Sequence, residues 1–333
     1  MPKTVVTASN FFVPPRVVTN DDLSKLMNTT DEWIVERTGI HERRYVDEGM
    51  SGAEMAEIAT RRASEESGVA IDDIEFLILA TLSPDYTMPG NAPYVQNRLG
   101  LNGCGILEIR NQCTGFIYSL SVADKFIRSG DYKKILVVGS EIHSTGLDFS
   151  DAGRDVSVMF GDGAGIFIVE AGPDDGERGI IKTSLFGDGS GAQDLWVECG
   201  DSAFYHPRLT HQMLDDGRIW PKMKGKKVFL NAVKRIPETM KDVLDGTGYT
   251  LEDIDCFVFH QANMRINQFV AGQLDLPQEK VFHNIQKYGN TTAATIPIVY
   301  TEARQAGLIK EGSLVMISGF GAGFTWGSVL LRA

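Results

Sequence analysis

Cysteine is scarce in this sequence: four residues in 333, Cys104, Cys113, Cys199 and Cys256, widely scattered. None forms a Cys-x-x-Cys pair or stands at zinc-ligand spacing from a histidine, so neither a disulfide framework nor a zinc site is expected. Long apolar runs are missing too. None approaches the ~20 residues of a membrane span, and the opening Met1-Pro2-Lys3-Thr4-Val5-Val6-Thr7 lacks the apolar core of a secretory signal, so a soluble, cytoplasmic protein is expected. Positive charge is in the minority, with 32 Lys and Arg against 44 Asp and Glu and a net charge of −12. That balance argues against a nucleic-acid binder and disfavours anionic membrane surfaces. No strand-like run is followed by Gly-Lys-Ser/Thr or a complete Gly-x-Gly-x-x-Gly, which removes the usual phosphate cradle.

What is present has ordinary globular proportions, 43% apolar and 23% charged residues. Short apolar runs alternate with amphipathic stretches of helical length, the pattern of strand-helix-strand crossovers, and the fold class is α/β. That pattern occurs twice. Asp72-Asp73-Ile74-Glu75-Phe76-Leu77-Ile78-Leu79-Ala80 matches Glu252-Asp253-Ile254-Asp255-Cys256-Phe257-Val258-Phe259-His260, an acidic turn leading into a strand-like run. Asn111-Gln112-Cys113-Thr114-Gly115 opens a helical stretch, with Phe116, Ile117, Leu120, Ala123, Phe126 and Ile127 in period and Gly130 as its stop. Its counterpart follows Gly289-Asn290-Thr291-Thr292. There Pro297 fits only a first turn, so the helix starts near Thr295 and Asn290 stays in the loop. Each copy closes on a Gly-rich turn, Phe160–Gly165 and Phe320–Phe324. The expected division is an N-terminal half over 1–175 and a C-terminal half over 176–333. An unmatched insertion near 185–223 would shape a substrate entrance.

The copies differ in chemistry. Cys113 stands where a loop enters a helix, and free backbone N–H groups and the helix dipole there would favour its thiolate. Cys256 lies inside an apolar run and reads as core. His260 ends a buried strand-like run, where α/β proteins place their sites. Asn290 alone would be a turn residue; beside Cys113 and His260 it becomes an electrophilic amide. The backbone of Gly319-Phe320-Gly321-Ala322-Gly323 suits an oxyanion hole. His41, His143, His206, His211 and His283 read as surface residues without metal-binding spacing. A duplicated fold with Cys113 in one half and His260 and Asn290 in the other implies one active site between the halves.

These residues and their flanking motifs resemble the β-ketoacyl-acyl carrier protein synthase III family of thiolase-fold condensing enzymes. The resemblance runs from Asn28-Thr29-Thr30-Asp31-Glu32-Trp33-Ile34 through Asn111–Phe116 and Phe160–Gly165 to His260-Gln261-Ala262-Asn263 and Gly321–Gly327. It implies a thiolase-like duplicated fold, five-layered α-β-α-β-α, in a homodimer. It implies that Cys113 takes an acyl group from acyl-CoA, and that malonyl-acyl carrier protein then loses carbon dioxide and attacks the acyl-Cys113 carbonyl. His260 and Asn290 would hold the enolate oxygen, and the N–H groups of Cys113 and Ala322 the second oxyanion. No metal or redox cofactor is implied.

For the CoA channel the matching positions are Thr29, Trp33, Arg37, Arg154, Met223, Gly225 and Asn263, with Phe229 near the pantetheine arm and Trp33 and Arg154 about the adenine. Met88 matches the residue that floors the partner's acyl pocket. Arg265, Lys226 and Lys227, with Lys222 and Lys224, form the basic patch expected to dock the acidic carrier. Gln112 stands where well-known members carry alanine and Leu230 where they carry lysine, which fits a specialised member as well as an initiating one. A second reading sends the acyl group to an oxygen, nitrogen or sulfur acceptor without decarboxylation. A third is a non-catalytic acyl-CoA-binding homologue.

Overall fold

A computed structural model describes residues 1–203 and 207–333 of the chain; His206 lies outside the described residues. In chain order the first half contains β1 (Lys3–Phe12), β2 (Val17–Thr19), α1 (Asn20–Ser24), α2 (Asp31–Thr38), β3 (Glu42–Arg44), α3 (Gly52–Ser67), β4 (Phe76–Ala80), α4 (Ala92–Leu99), β5 (Gly105–Ile109), α5 (Gly115–Ser129), β6 (Lys134–Glu141), α6 (Arg154–Ser157) and β7 (Gly163–Gly172). The remainder contains β8 (Gly179–Gly187), β9 (Leu195–Val197), α7 (His211–Asp215), β10 (Pro221–Met223), α8 (Gly225–Leu244), β11 (Cys256–Phe259), α9 (Met264–Gln273), α10 (Ile285–Tyr288), α11 (Thr295–Gln305), β12 (Leu314–Gly321) and β13 (Thr325–Arg332).

Two mixed sheets carry the molecule. One has the order β1-β7-β6-β4-β5 and the other β11-β12-β13-β8, so β4 beside β6 corresponds to β11 beside β12, both parallel pairs. In place of a counterpart to β5 there is one parallel bridge, Phe257 to Val281. Apolar runs such as Phe76–Ala80 and Cys256–Phe259 are buried on both faces, as strands covered by helices on either side must be. Helices α3 and α4 cover the outer face of the first sheet, α8 and α9 that of the second, and α5 and α11 fill the middle. The result is five layers, α-β-α-β-α. The central core joins Phe116, Ile117 and Leu120 of α5 to Ile296, Val299 and Tyr300 of α11 and to side chains of both sheets.

Helix α11 begins at Thr295 with Pro297 in its first turn, and Asn290 lies in the loop before it. The unmatched segment starts later than expected. Leu185, Phe186 and Gly187 continue β8 and pair with Gly327, Trp326 and Thr325, so irregular chain begins at Asp188. The pattern of Gly and Asp there masks a strand end whose alternate residues pack on β13.

Candidate active site

Cys113 occupies a 3-10 turn, Gln112–Thr114, at the entrance to α5, and is buried. A matching turn, Thr292–Ala294, precedes α11 and packs against the first. The first residue of each has positive φ, 44° at Gln112 and 48° at Thr292, a sparsely populated region for residues with a side chain. The end of β12 comes down on Cys113 closely. A Cβ added to Gly321 would lie 2.6 Å from the Cys113 Cβ, and one added to Gly319 would lie 3.2 Å from the His260 Cβ. Both glycines point to the same face of the strand, two residues apart. They bring Cys113 and His260 to one edge of β12.

His260 follows β11 directly, its N–H donating to the Ser318 carbonyl at 2.9 Å. Its Nδ1 is 2.6 Å from the Thr295 hydroxyl, and its buried Nε2 has no partner among the described residues. Burial lowers its pKa to about 3, so the ring is neutral at physiological pH. Asn290 is fixed by its backbone, with N–H to the Met159 carbonyl at 2.8 Å and carbonyl to the Gly161 N–H at 3.2 Å. Its Oδ1 accepts from the Thr292 N–H at 2.9 Å, which identifies Nδ2 as the end left to donate.

The thiol departs from the sequence expectation. Burial, reinforced by the nearby Glu141 carboxylate, pushes Cys113 up to about 12, although the N–H groups of Ala322 and Cys113 itself pull it down. Desolvation of the charge outweighs the few donors at a single helix entrance. Glu141 ends β6, fully buried, and accepts from the Thr81 and Ser83 hydroxyls and from the Leu82 and Ser83 N–H groups. Burial raises it to about 7 against those hydrogen bonds.

A cavity of about 1280 Å³ opens beside Cys113. Cys113, Gln112, Thr292 and Ala322 line it, and Leu195, Trp196 and Ile219 come from the segment after β8. His143 also lines it, which corrects the surface reading of that residue: the side chain is buried, with Nε2 2.7 Å from the Thr292 hydroxyl. His283 is half-buried, its Nδ1 without a partner among the described residues and its pKa lowered to about 4 by burial. The polar neighbours of both histidines in sequence belong to loops that fold back over strand ends. The rule that singled out His260, a histidine just past a buried strand, applies equally to His143, two residues beyond β6.

The CoA-channel candidates form a second group. The guanidinium carbons of Arg37 and Arg154 each lie 4.6 Å from the Trp33 ring centre, so Arg154 rests on the indole itself. Trp33 and Met223 pack on one apolar cluster with Phe160, which also borders the Cys113 cavity. Asn263 caps α9 and donates Nδ2 to the Arg37 carbonyl, and the buried Thr29 hydroxyl has no partner among the described residues. Gly225 opens α8, one turn before Phe229, whose ring meets Phe269 at 5.8 Å. Met88 is 86% exposed and does not line the cavity of its own chain. The basic patch is thinner than its sequence. Lys222 pairs with Glu198, and Lys224 and Lys227 with Asp194, while Lys226 and Arg265 pair with no carboxylate among the described residues.

Two stacked halves with a cysteine at one helix entrance and a histidine at the opposite strand end define a thiolase-fold enzyme. Residues 107–189 match the family description 3-oxoacyl-(acyl-carrier-protein) synthase III, and residues 244–333 match its C-terminal part. The chain is 41% identical over 327 residues to a beta-ketoacyl-acyl-carrier-protein synthase III of Xanthomonas axonopodis pv. citri, covering 98% of this chain and 97% of that one. It is 41% identical to the enzyme of the same name from Clostridium acetobutylicum, with 98% of each chain covered. The crystal structure of 3-oxoacyl-acyl-carrier-protein synthase III from Aquifex aeolicus VF5 superposes with a TM-score of 0.89 at 38% identity, over 99% of this chain and 100% of that one. The chain belongs to the β-ketoacyl-acyl carrier protein synthase III family.

Proposed function

We propose that the protein condenses an acyl-CoA with malonyl-acyl carrier protein, with loss of carbon dioxide, to give a β-ketoacyl-acyl carrier protein for fatty acid or related lipid synthesis. The arrangement that carries this reading is a buried thiol under the backbone of Gly321-Ala322, beside an imidazole Nε2 and an amide Nδ2 that no group of the described residues occupies. Cys113 Sγ attacks the thioester carbonyl and CoA leaves as its thiol, carrying the proton the nucleophile gives up. The tetrahedral oxyanion is held by the N–H groups of Cys113 and Ala322. In the second half-reaction the malonyl C–C bond breaks, carbon dioxide leaves, and the electron pair passes to the thioester oxygen between His260 and Asn290. His260 stabilises that oxygen in the tautomer with its proton on Nε2, the ring nitrogen not facing the Thr295 hydroxyl. The enolate carbon then attacks the acyl carbonyl and expels the Cys113 sulfur. Every step is carried by acid-base and acyl-transfer groups of the chain.

Acyl-CoA enters along Thr29, Trp33, Arg37, Arg154, Met223, Gly225, Phe229 and Asn263, the adenine displacing Arg154 from the Trp33 face. The carrier docks through Arg265 and Lys226, with Lys227 a weaker contributor because it shares Asp194 with Lys224. The protein acts as a homodimer in which Met88, exposed on one chain, closes the partner's acyl chamber. The test is carbon dioxide release from malonyl-acyl carrier protein by acyl-loaded enzyme. Release coupled one to one with β-ketoacyl product supports condensation; acyl transfer to another acceptor with no carbon dioxide overturns it.

A further inference from the structure

Thr292 is fully buried, β-branched and held at φ 48°, a conformation that persists only where several contacts over-determine it. Three are present. Its N–H donates to Asn290 Oδ1 at 2.9 Å, its carbonyl accepts from the Thr295 hydroxyl at 3.0 Å, and its own hydroxyl meets His143 Nε2 at 2.7 Å. The first contact orients the Asn290 amide, and the second reaches His260 through Thr295. Of the three, the third comes from a distant part of the chain. His143 is itself rigid: its N–H donates to Asp162 Oδ1 at 2.7 Å, and its ring centre lies 4.7 Å from that of Phe160. Asp162 is anchored in turn by Val46 N–H and the Ser144 hydroxyl. A continuous chain of short contacts thus runs from Asp162, just before β7, through His143 and Thr292 to Asn290. His143 also faces the Cys113 cavity, so it is no ordinary satisfied core histidine.

We propose that His143 is a positioning residue: by holding Thr292, it fixes the Asn290 amide with Nδ2 toward the substrate oxygen. The inference rests on the assignment of Asn290 to the enolate oxygen. It predicts a selective defect, because loading Cys113 uses the Cys113 and Ala322 N–H groups rather than Asn290.

The two half-reactions separate the effects. Acyl loading is followed by intact mass with acetyl- to dodecanoyl-CoA, and decarboxylation by carbon dioxide release from malonyl-CoA. His143→Ala is expected to lower the kcat of decarboxylation about 10–100-fold while loading stays within about threefold. Thr292→Val should do the same and the double variant no more, since both break one link. His143→Gln, whose amide can reach the hydroxyl, and Thr292→Ser should recover most of the rate. Decarboxylation by His143→Ala at the wild-type rate, or an equal loss in both half-reactions without rescue by glutamine, overturns the role of His143. Unimpaired decarboxylation by Asn290→Ala overturns the assignment of Asn290 itself, and with it this inference at its root.

Discussion

The ends of β4 and β11, read through their partners β6 and β12, show one backbone used for two purposes. Ala80 lies opposite Gly139 as His260 lies beside Gly319, and the two turns align Cys113 with Ala293. Carrying the register two residues on, Glu141 of β6 corresponds to Gly321 of β12. At the working site, Gly321 leaves room for the cysteine Cβ. At its silent counterpart a buried carboxylate fills that place and faces the Ala293 N–H. The difference teaches that a nucleophile at a helix entrance is not enough. The opposing strand must also give up a side chain, and the neighbouring strand end must supply a polar one. On the role proposed for Asn290, the second turn contributes through Thr292, whose N–H donates to Asn290 Oδ1.

Making the working site resemble the silent one should have graded effects. Cys113→Ala, which copies Ala293, is expected to abolish acyl-enzyme formation and cut condensation by a factor on the order of 10³ or more. Single-turnover assays with acyl-CoA check it. His260→Ala, which copies Ala80, should lower decarboxylation on the order of 10²- to 10³-fold and leave acylation much less affected; equal losses in both half-reactions would remove the division of labour. Gly321→Ala forces a methyl against Cys113 and is expected to cost about 1–3 kcal/mol of stability, read by denaturant unfolding, with slower acylation.

The smallest effect concerns pH. His143 and His260 are lowered to about 3 and His283 to about 4 by burial, so below pH 6.5 the unfolded chain binds protons that the folded chain refuses. Their contribution is present above 6.5 and is lost as pH falls. Glu141, raised to about 7, acts oppositely: the folded chain keeps a proton that the unfolded chain releases above about 4.5. Asp162, also raised by burial, sides with it. Three imidazoles outweigh the carboxyls in the shared window, so stability should fall from pH 7 to pH 5. Urea midpoints at the two values measure it.

Much of this was legible in the sequence because duplication doubles every signal. Apolar runs set both sheets, Pro297 located the start of α11, and the ends of those runs exposed His260. Cys113 was found by its place before a helical period, but its titration was not, because burial is a property of both sheets closing over it. His143 was misread for a related reason. Its sequence neighbours are polar, yet Asp162, Thr292 and Phe160, which enclose it, come from distant segments. The basic patch was overcounted because Asp194 and Glu198 return across it only in the fold.

One thiol, Cys113, facing groups from the other half, is proposed to carry the acyl group. Intact-protein mass spectrometry after incubation with a panel of acyl-CoAs, then with malonyl-acyl carrier protein, tests it most directly. One added acyl mass per chain is expected, absent in Cys113→Ala and discharged as β-ketoacyl product when the malonyl carrier is added. An adduct that survives in Cys113→Ala, or one that malonyl carrier never discharges, would contradict it.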